Sequence, residues 1–283
     1  MPTAASTLIE QMQSIDVLPN SLALWGLGQM GVAIKGPDAT LYIDPALSDV
    51  LREQMGDWWT RAYDPPMPPD AITNANFYLI SHEHLDHLDP ATVRAAAQTS
   101  RQATFVAPGW CVELLADLDI ARERILVPPA LEPITLPGTS VRVTAVPAAH
   151  YEKEYDEARG FRWIGFLIQW NGVTFYHAGD TIIYPGYLDT LQQLPRPDVA
   201  LLPVNGRDSY RETEHDIVGN LLPDEAARLV RDLGVDVFIP GHNDLIANNA
   251  IPNGHIVDAL DKIAPLQKFK FLRPGELYLY VKA

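Results

Sequence analysis

The sequence predicts an α/β fold in which two sheets pack as a sandwich with helices around them. Short apolar runs of strand length recur from Ser21 towards the C-terminus, and amphipathic helical stretches are interspersed with them in both halves. No repeat of solenoid period and no low-complexity tract interrupts the pattern. With strands early and late in each half, two packed sheets fit better than one doubly wound sheet. The 283 residues suffice for a single large domain with a substantial core. That domain is placed at 21–283, after an N-terminal helical extension at 1–20.

In chain order, Ser6 to Ile15 reads as a short amphipathic helix with Ser6 as its N-cap. Ser21–Gly36 and Ala39–Leu47 then read as two strands joined at Gly36-Pro37-Asp38, a hairpin signal. The stretch Leu51–Asp70, with tandem tryptophans and a proline-rich run, reads as an irregular loop. Such a loop either overhangs a site or is pinned to the surface by its aromatics. The run "ANFYLIS" reads as a buried strand. After it, Asp89 and Pro90 are the N-cap and first residue of a helix through "DPATVRAAAQTS". Further strands are read at "ATFVAPG", "RILVPP", "VRVTAVPAAH", "WIGFLIQWNGVTFYHAGD", "DVALLPV" and "VDVFIPGH", with a hairpin turn at Asn171-Gly172. "LPDEAARLVRDLG" reads as a helix capped by Gly234, and "PNGHIVDALDKIA" as a last helix.

Composition narrows the partners. A formal charge of −15 repels phosphate backbones and anionic lipid surfaces, so neither nucleic acid nor membrane is expected. A small-molecule substrate, even an anionic one, remains compatible because a buried cation can dominate its own site. The single cysteine, Cys111, excludes an intrachain disulfide and reads as a buried apolar residue. The first twenty residues lack a basic n-region and a long apolar h-region, and no run approaches membrane-spanning length. No signal peptide and a cytoplasmic location are therefore expected.

The chemistry is concentrated in "LISHEHLDHLDP", which holds three of the eight histidines, on a loop between a strand end and a helix start. Residues two apart in an extended loop project to the same side, so His82 and His84 can share one cation. Asp86 and His87 can serve a second cation close by. Imidazole and carboxylate donors without a thiolate suit zinc, manganese or iron, in a working rather than a purely structural site. Three more candidate ligands, His150, Asp180 and His242, each follow an apolar strand at what should be one edge of the sandwich.

This set, His82-x-His84-x-Asp86-His87 followed by His150, Asp180 and His242, resembles the ligand set of the metallo-β-lactamase-fold hydrolases from about Ser21 onwards. The resemblance implies a four-layer αββα sandwich and two divalent metal ions per chain. It assigns His82, His84 and His150 to the first ion and Asp86, His87 and His242 to the second, with Asp180 bridging. Within that superfamily the chain resembles the L-ascorbate-6-phosphate lactonase (UlaG-like) branch. The features are Trp25-Gly-Leu-Gly, Gly179-Asp180-Thr181 before Tyr184, "NGRDSYRE", and "IPGHNDLIANN" around His242. A homo-oligomer is expected on that resemblance alone.

Other residues carry weaker expectations. His177 reads as packed or supporting a ligand, and His215 and His255 as surface or structural. Asp244 reads either as a carboxylate steadying an imidazole or as a turn residue. Asn248, Tyr184, Arg207 and Arg211 are candidate substrate contacts, the arginines as clamps for phosphate or carboxylate.

The activity these expectations describe is hydrolysis of an ester-like bond, most simply a sugar-acid lactone with or without a phosphate. A water deprotonated between two cations attacks the carbonyl, and Asp86 and Asp180 are the catalytic carboxylates. The alternatives are a two-metal phosphodiesterase or nuclease, a β-lactamase or thioesterase, and, outside catalysis, a metal-dependent sensor or scaffold.

Overall fold

The computed structural model describes residues 4–282. Helix α1 (Ala4–Ser14) starts upstream of Ser6, so that serine lies inside the helix rather than at its N-cap, and the helix stops short of Ile15. It lays Leu8, Ile9 and Met12 into the core under the first sheet, and Gln11 accepts a hydrogen bond from the Trp25 indole (2.8 Å).

Ser21–Gly36, expected as one strand, is itself a hairpin. Strand β1 (Ser21–Gly28) turns through Gln29 and Met30 into β2 (Gly31–Lys35), antiparallel to it. Both strands are buried on both faces, so the apolar run continues through the turn and hides it. The turn depends on left-handed backbone at Gly28 (φ 90°) and at Gln29 (φ 56°). The predicted turn at Gly36 leads to β3 (Thr40–Ile43), antiparallel to β2. The stretch expected as an irregular loop holds helix α2 (Val50–Met55) and single 3₁₀ turns at Asp57–Trp59 and Pro69–Ala71.

Strands β4 (Phe77–Leu79), β5 (Thr104–Val106) and β6 (Ile125–Leu126) extend the sheet in parallel, with Ile43 opposite Leu79 and Leu79 opposite Val106. Between them run α3 (Pro90–Thr99) and α4 (Val112–Asp117). Asp89 caps α3 as expected, accepting from the backbone N–H groups of Ala91 and Thr92.

The second sheet contains β7 (Pro133–Thr135) and β8 (Arg142–Pro147). A small ribbon, β9 (Tyr155–Asp156) and β10 (Gly160–Phe161), interrupts it. The sheet then continues through β11 (Ile164–Trp170) and β12 (Val173–His177), joined by the Asn171-Gly172 turn, where both residues take positive φ. Helix α5 (Tyr187–Gln192) leads to β13 (Val199–Pro203), and α6 (Ser209–His215) and α7 (Pro223–Leu233) lead to β14 (Val237–Gly241). Helix α8 (Asn253–Ile263) and β15 (Lys268–Phe269) follow, and β16 (Leu277–Val281) returns to the first sheet beside β1. The strand orders are β16-β1-β2-β3-β4-β5-β6 and β15-β14-β13-β12-β11-β8-β7.

Alternation along the strands builds the layers. Phe77 and Leu79 of β4 join Leu24, Ile34, Phe166 and Ile239 between the sheets. Tyr78 faces the other way, against Val93 and Ala96 of α3. Outside the second sheet, Tyr176 and Phe238 pack on Tyr187, Leu229 and Leu260 of α5, α7 and α8. The result is the four-layer αββα sandwich. No helix among the described residues is long and apolar enough to cross a membrane.

Candidate metal centre

The loop 80–89 leaves β4 at its C-terminal end and carries His82, His84, Asp86 and His87. The second sheet supplies His150 after β8, Asp180 after β12 and His242 after β14. These side chains meet in three groupings whose nitrogen and oxygen atoms lie within 4.8 Å of one another: His82, His84 and His150; His82, His87 and Asp180; Asp86, His87 and His242. Asp180 is central. Its Oδ1 lies 3.2 Å from His87 Nε2, and its Oδ2 lies 3.0 Å from His242 Nε2 and 3.6 Å from His150 Nε2. His242 Nε2 is also 3.2 Å from Asp86 Oδ2.

The donor set fits divalent cations. Nε2 of His82 and of His87, Nδ1 of His150 and Oδ1 of Asp180 are buried without a hydrogen-bond partner, an expensive condition for polar atoms facing only protein. No cysteine belongs to the groupings, and nitrogen and oxygen donors suit zinc, manganese or iron.

The electrostatics point the same way. Burial pushes His82 well below the ordinary imidazole range and His150 down to about 4, so both favour the neutral, ligating form. Burial acts downward on His87 and His242 too, but the carboxylates of Asp180 and Asp86 outweigh it. His87 is held well above its usual value and His242 at about 9. Conversely, burial would raise Asp86 and Asp180, and the facing histidines hold both below the usual carboxylate range. Two buried carboxylates thus draw positive charge to the centre of the cluster.

Supporting residues hold the rings, and the motif did not reveal them. Asp44 Oδ2 lies 2.8 Å from His87 Nδ1, while Asp44 Oδ1 accepts from the Ser81 backbone N–H (2.8 Å). Ser81 Oγ lies 3.0 Å from His82 Nδ1. A carboxylate behind a ligating histidine fixes its ring and tautomer. Asp44 follows the apolar strand β3 directly, the same strand-end signal that marked His150 and His242. Gln29 donates from Nε2 to Asp86 Oδ2 (2.6 Å), and its carbonyl accepts from the His242 backbone N–H (2.9 Å). His242 itself takes positive φ (58°), a strained backbone that such contacts hold in place.

The remaining candidates fall outside the cluster. His177 is fully buried with both ring nitrogens engaged, by the Met30 carbonyl (2.8 Å) and the Gly179 N–H (3.1 Å). Asp244 does not contact the His242 ring by a hydrogen bond; it accepts from the Gln29 backbone N–H (2.8 Å). Asn248 donates to the Trp58 carbonyl, holding the 57–59 turn. Tyr184, its phenol pushed up to about 12 by burial, donates to the Pro147 carbonyl. Arg207 donates to the Asn220 carbonyl and to Glu225. Arg211 is buried and donates to Asp208, Asn249 and the Asn205 carbonyl. Neither arginine lines the cavity over the ligands. His215, expected as a surface or structural residue, does line it and stacks on Trp58 at 4.3 Å. His255 is exposed and Cys111 is buried, both as expected.

The cavity measures ≈ 370 Å³, with His84, Asp86, His150, Asp180 and His242 in its wall. That volume is at the lower end for small-molecule sites. Leu51, Met55 and Trp59 reach it from the 51–70 stretch, so that stretch does overhang the ligands.

Residues 39–243 match the family model described as the β-lactamase superfamily domain. A metal-dependent hydrolase of Methanoculleus marisnigri is 31% identical over 193 residues, covering 65% of this chain and 74% of the relative. The probable L-ascorbate-6-phosphate lactonase of Escherichia fergusonii is 25% identical over 285 residues, covering 87% of this chain and 76% of the relative. The crystal structure of the metallo-β-lactamase-fold protein YhfI of Bacillus subtilis superposes with a TM-score of 0.65 at 13% identity. That superposition covers 92% of this chain and 100% of YhfI.

Proposed function

The chain belongs to the metallo-β-lactamase superfamily of metal-dependent hydrolases, and on that premise we propose that it opens a cyclic carboxylic ester, a lactone. The observation that carries this reading is the convergence of three histidines from both sheets on Asp180 in the wall of a substrate-sized cavity. His82, His84 and His150 would hold one divalent cation. Asp86, His87 and His242 would hold a second, with Asp180 between them. When bound, zinc, manganese or iron supplies a water of lowered pKa and positive charge for the developing oxyanion.

The chain's own groups supply the rest. Asp86 lies in the cavity wall with Oδ2 held by Gln29, which leaves Oδ1 to receive the proton of the attacking water. The hydroxyl of that water ends on the carbonyl carbon, the acyl C–O bond breaks, and Asp86 returns the proton to the leaving alkoxide. In a ring ester that alcohol stays tethered to the acid, so the main demand on the site is charge stabilisation. Likeness to a lactonase over most of the chain supports a lactone over a phosphodiester.

Metal analysis of protein purified without chelator, combined with a hydrolysis screen, tests this. About two ions per chain and lactone turnover abolished by chelation are the expected result. Turnover of a phosphodiester alone would replace the lactone reading, and protein that takes up no metal would end it.

A further inference from the structure

Above the ligands the cavity wall is chemically one-sided. Leu51, Met55, Trp59 and Leu85, together with Ile217 and Val218 from the loop after α6, line it. Among the described residues no lysine or arginine lines the cavity, whereas Glu83 and Asp216 do. Both arginines nearby in the chain have protein partners, Arg211 in the wall's interior and Arg207 on the main chain of Asn220. A phosphate carried by a substrate would find no lysine or arginine among these lining residues and would depend on the bound cations for counter-charge.

Besides Glu83 Oε2 and the candidate ligand atoms of His150 and Asp180, one more polar atom among the lining residues is left without a partner, on an amide. Arg211 Nη1 lies 2.8 Å from Asn249 Oδ1, and a guanidinium only donates, so that atom of Asn249 is the oxygen. Asn205 Nδ2 donates to the same oxygen (3.0 Å), and Asn205 Oδ1 accepts from Asn220 Nδ2 (3.1 Å). The arginine therefore sets the direction of every amide in the row. The leftover atom is Asn220 Oδ1, in a fully buried side chain that lines the cavity and has no hydrogen-bond partner. A buried acceptor of this kind discriminates strongly in favour of a ligand that brings a donor.

We propose, building on the hydrolase reading above, that the site takes an uncharged ester or lactone with two features. One is an apolar arm lying against Leu51, Met55, Trp59, Ile217 and Val218. The other is an N–H or O–H donor accepted by Asn220 Oδ1. Phosphorylated lactones, which gain no lysine or arginine contact from the same walls, rank below such a substrate.

The test compares kcat/KM of the metal-loaded protein on four probes. These are an acylamino-γ-butyrolactone, the alkyl γ-butyrolactone of equal length without the N–H, gluconolactone, and gluconolactone 6-phosphate. Calorimetric binding of the matching acylamino lactam to the same protein gives a second readout that needs no turnover. The expected order places the acylamino lactone first, about tenfold ahead of the alkyl lactone, and the phosphate last. In Asn220→Ala the ratio between the two butyrolactones falls towards one; should that variant not fold, the wild-type ratio and the lactam affinity still decide. Preference for the phosphate, or equal rates on the two butyrolactones, overturns the substrate class and leaves the hydrolase standing. A metal-loaded protein that turns over no ester at all overturns the hydrolase reading and the substrate class with it.

Discussion

Asp44 illustrates how much of a metal centre lies behind its ligands. Its carboxylate joins His87 Nδ1 and the backbone of Ser81, so it fixes one ring directly and the chain that carries His82. Replacing it with alanine should weaken metal binding about 10–100-fold, read by competition with a chromogenic chelator, with the far-ultraviolet spectrum reporting that the fold persists. His84→Ala should go further and abolish both metal loading and turnover while the chain stays folded. Two ions per chain in that variant would remove the basis of the site assignment. At this scale the seven candidate ligands were legible because a short motif and strand-end positions are local properties of sequence. Gln29 and Asn220 were not, because each acts through a partner far along the chain or through a row of side chains, while Asp44 carried the strand-end signal but lies outside the motif. Arg207 and Arg211 show the opposite error. An arginine after a strand end looks like a substrate clamp until its protein partners are known.

Among the elements, those closed by their own turn chemistry were the readable ones. Asp89-Pro90 started α3, Asn171-Gly172 joined β11 to β12, and Gly234 ended α7. The hairpin of β1 and β2 was missed because both of its faces are buried, so no alternation marked the turn. Strands of two or three residues such as β7 and β15 exist only through their neighbours. Gly234 sits at φ 65° as the C-cap of α7, where an added Cβ would meet only the Arg196 side chain at ordinary contact distance. The cost of Gly234→Ala is therefore backbone strain, about 1–2 kcal/mol, measurable as a lowered urea midpoint with an unchanged slope.

For the whole molecule, the ligands tie two sheets together, since the loop after β4 belongs to one and His150, Asp180 and His242 to the other. Bound cations should act as a clamp across the sandwich. Each site filled at a hundredfold excess over its Kd adds about 2.7 kcal/mol to folding, so chelation should lower the calorimetric Tm, and re-addition of metal should restore it. The return of β16 to β1, with Ser21 opposite Val281, has a consequence for how a cell makes this protein. Translation delivers β1, β2 and β3 early, yet the neighbour that covers β1 follows every other strand in the chain. Until then β1 presents an open edge, even after the last candidate ligand, His242, has been made. A nascent chain is thus exposed to mispairing along β1 until β16 arrives to cover it.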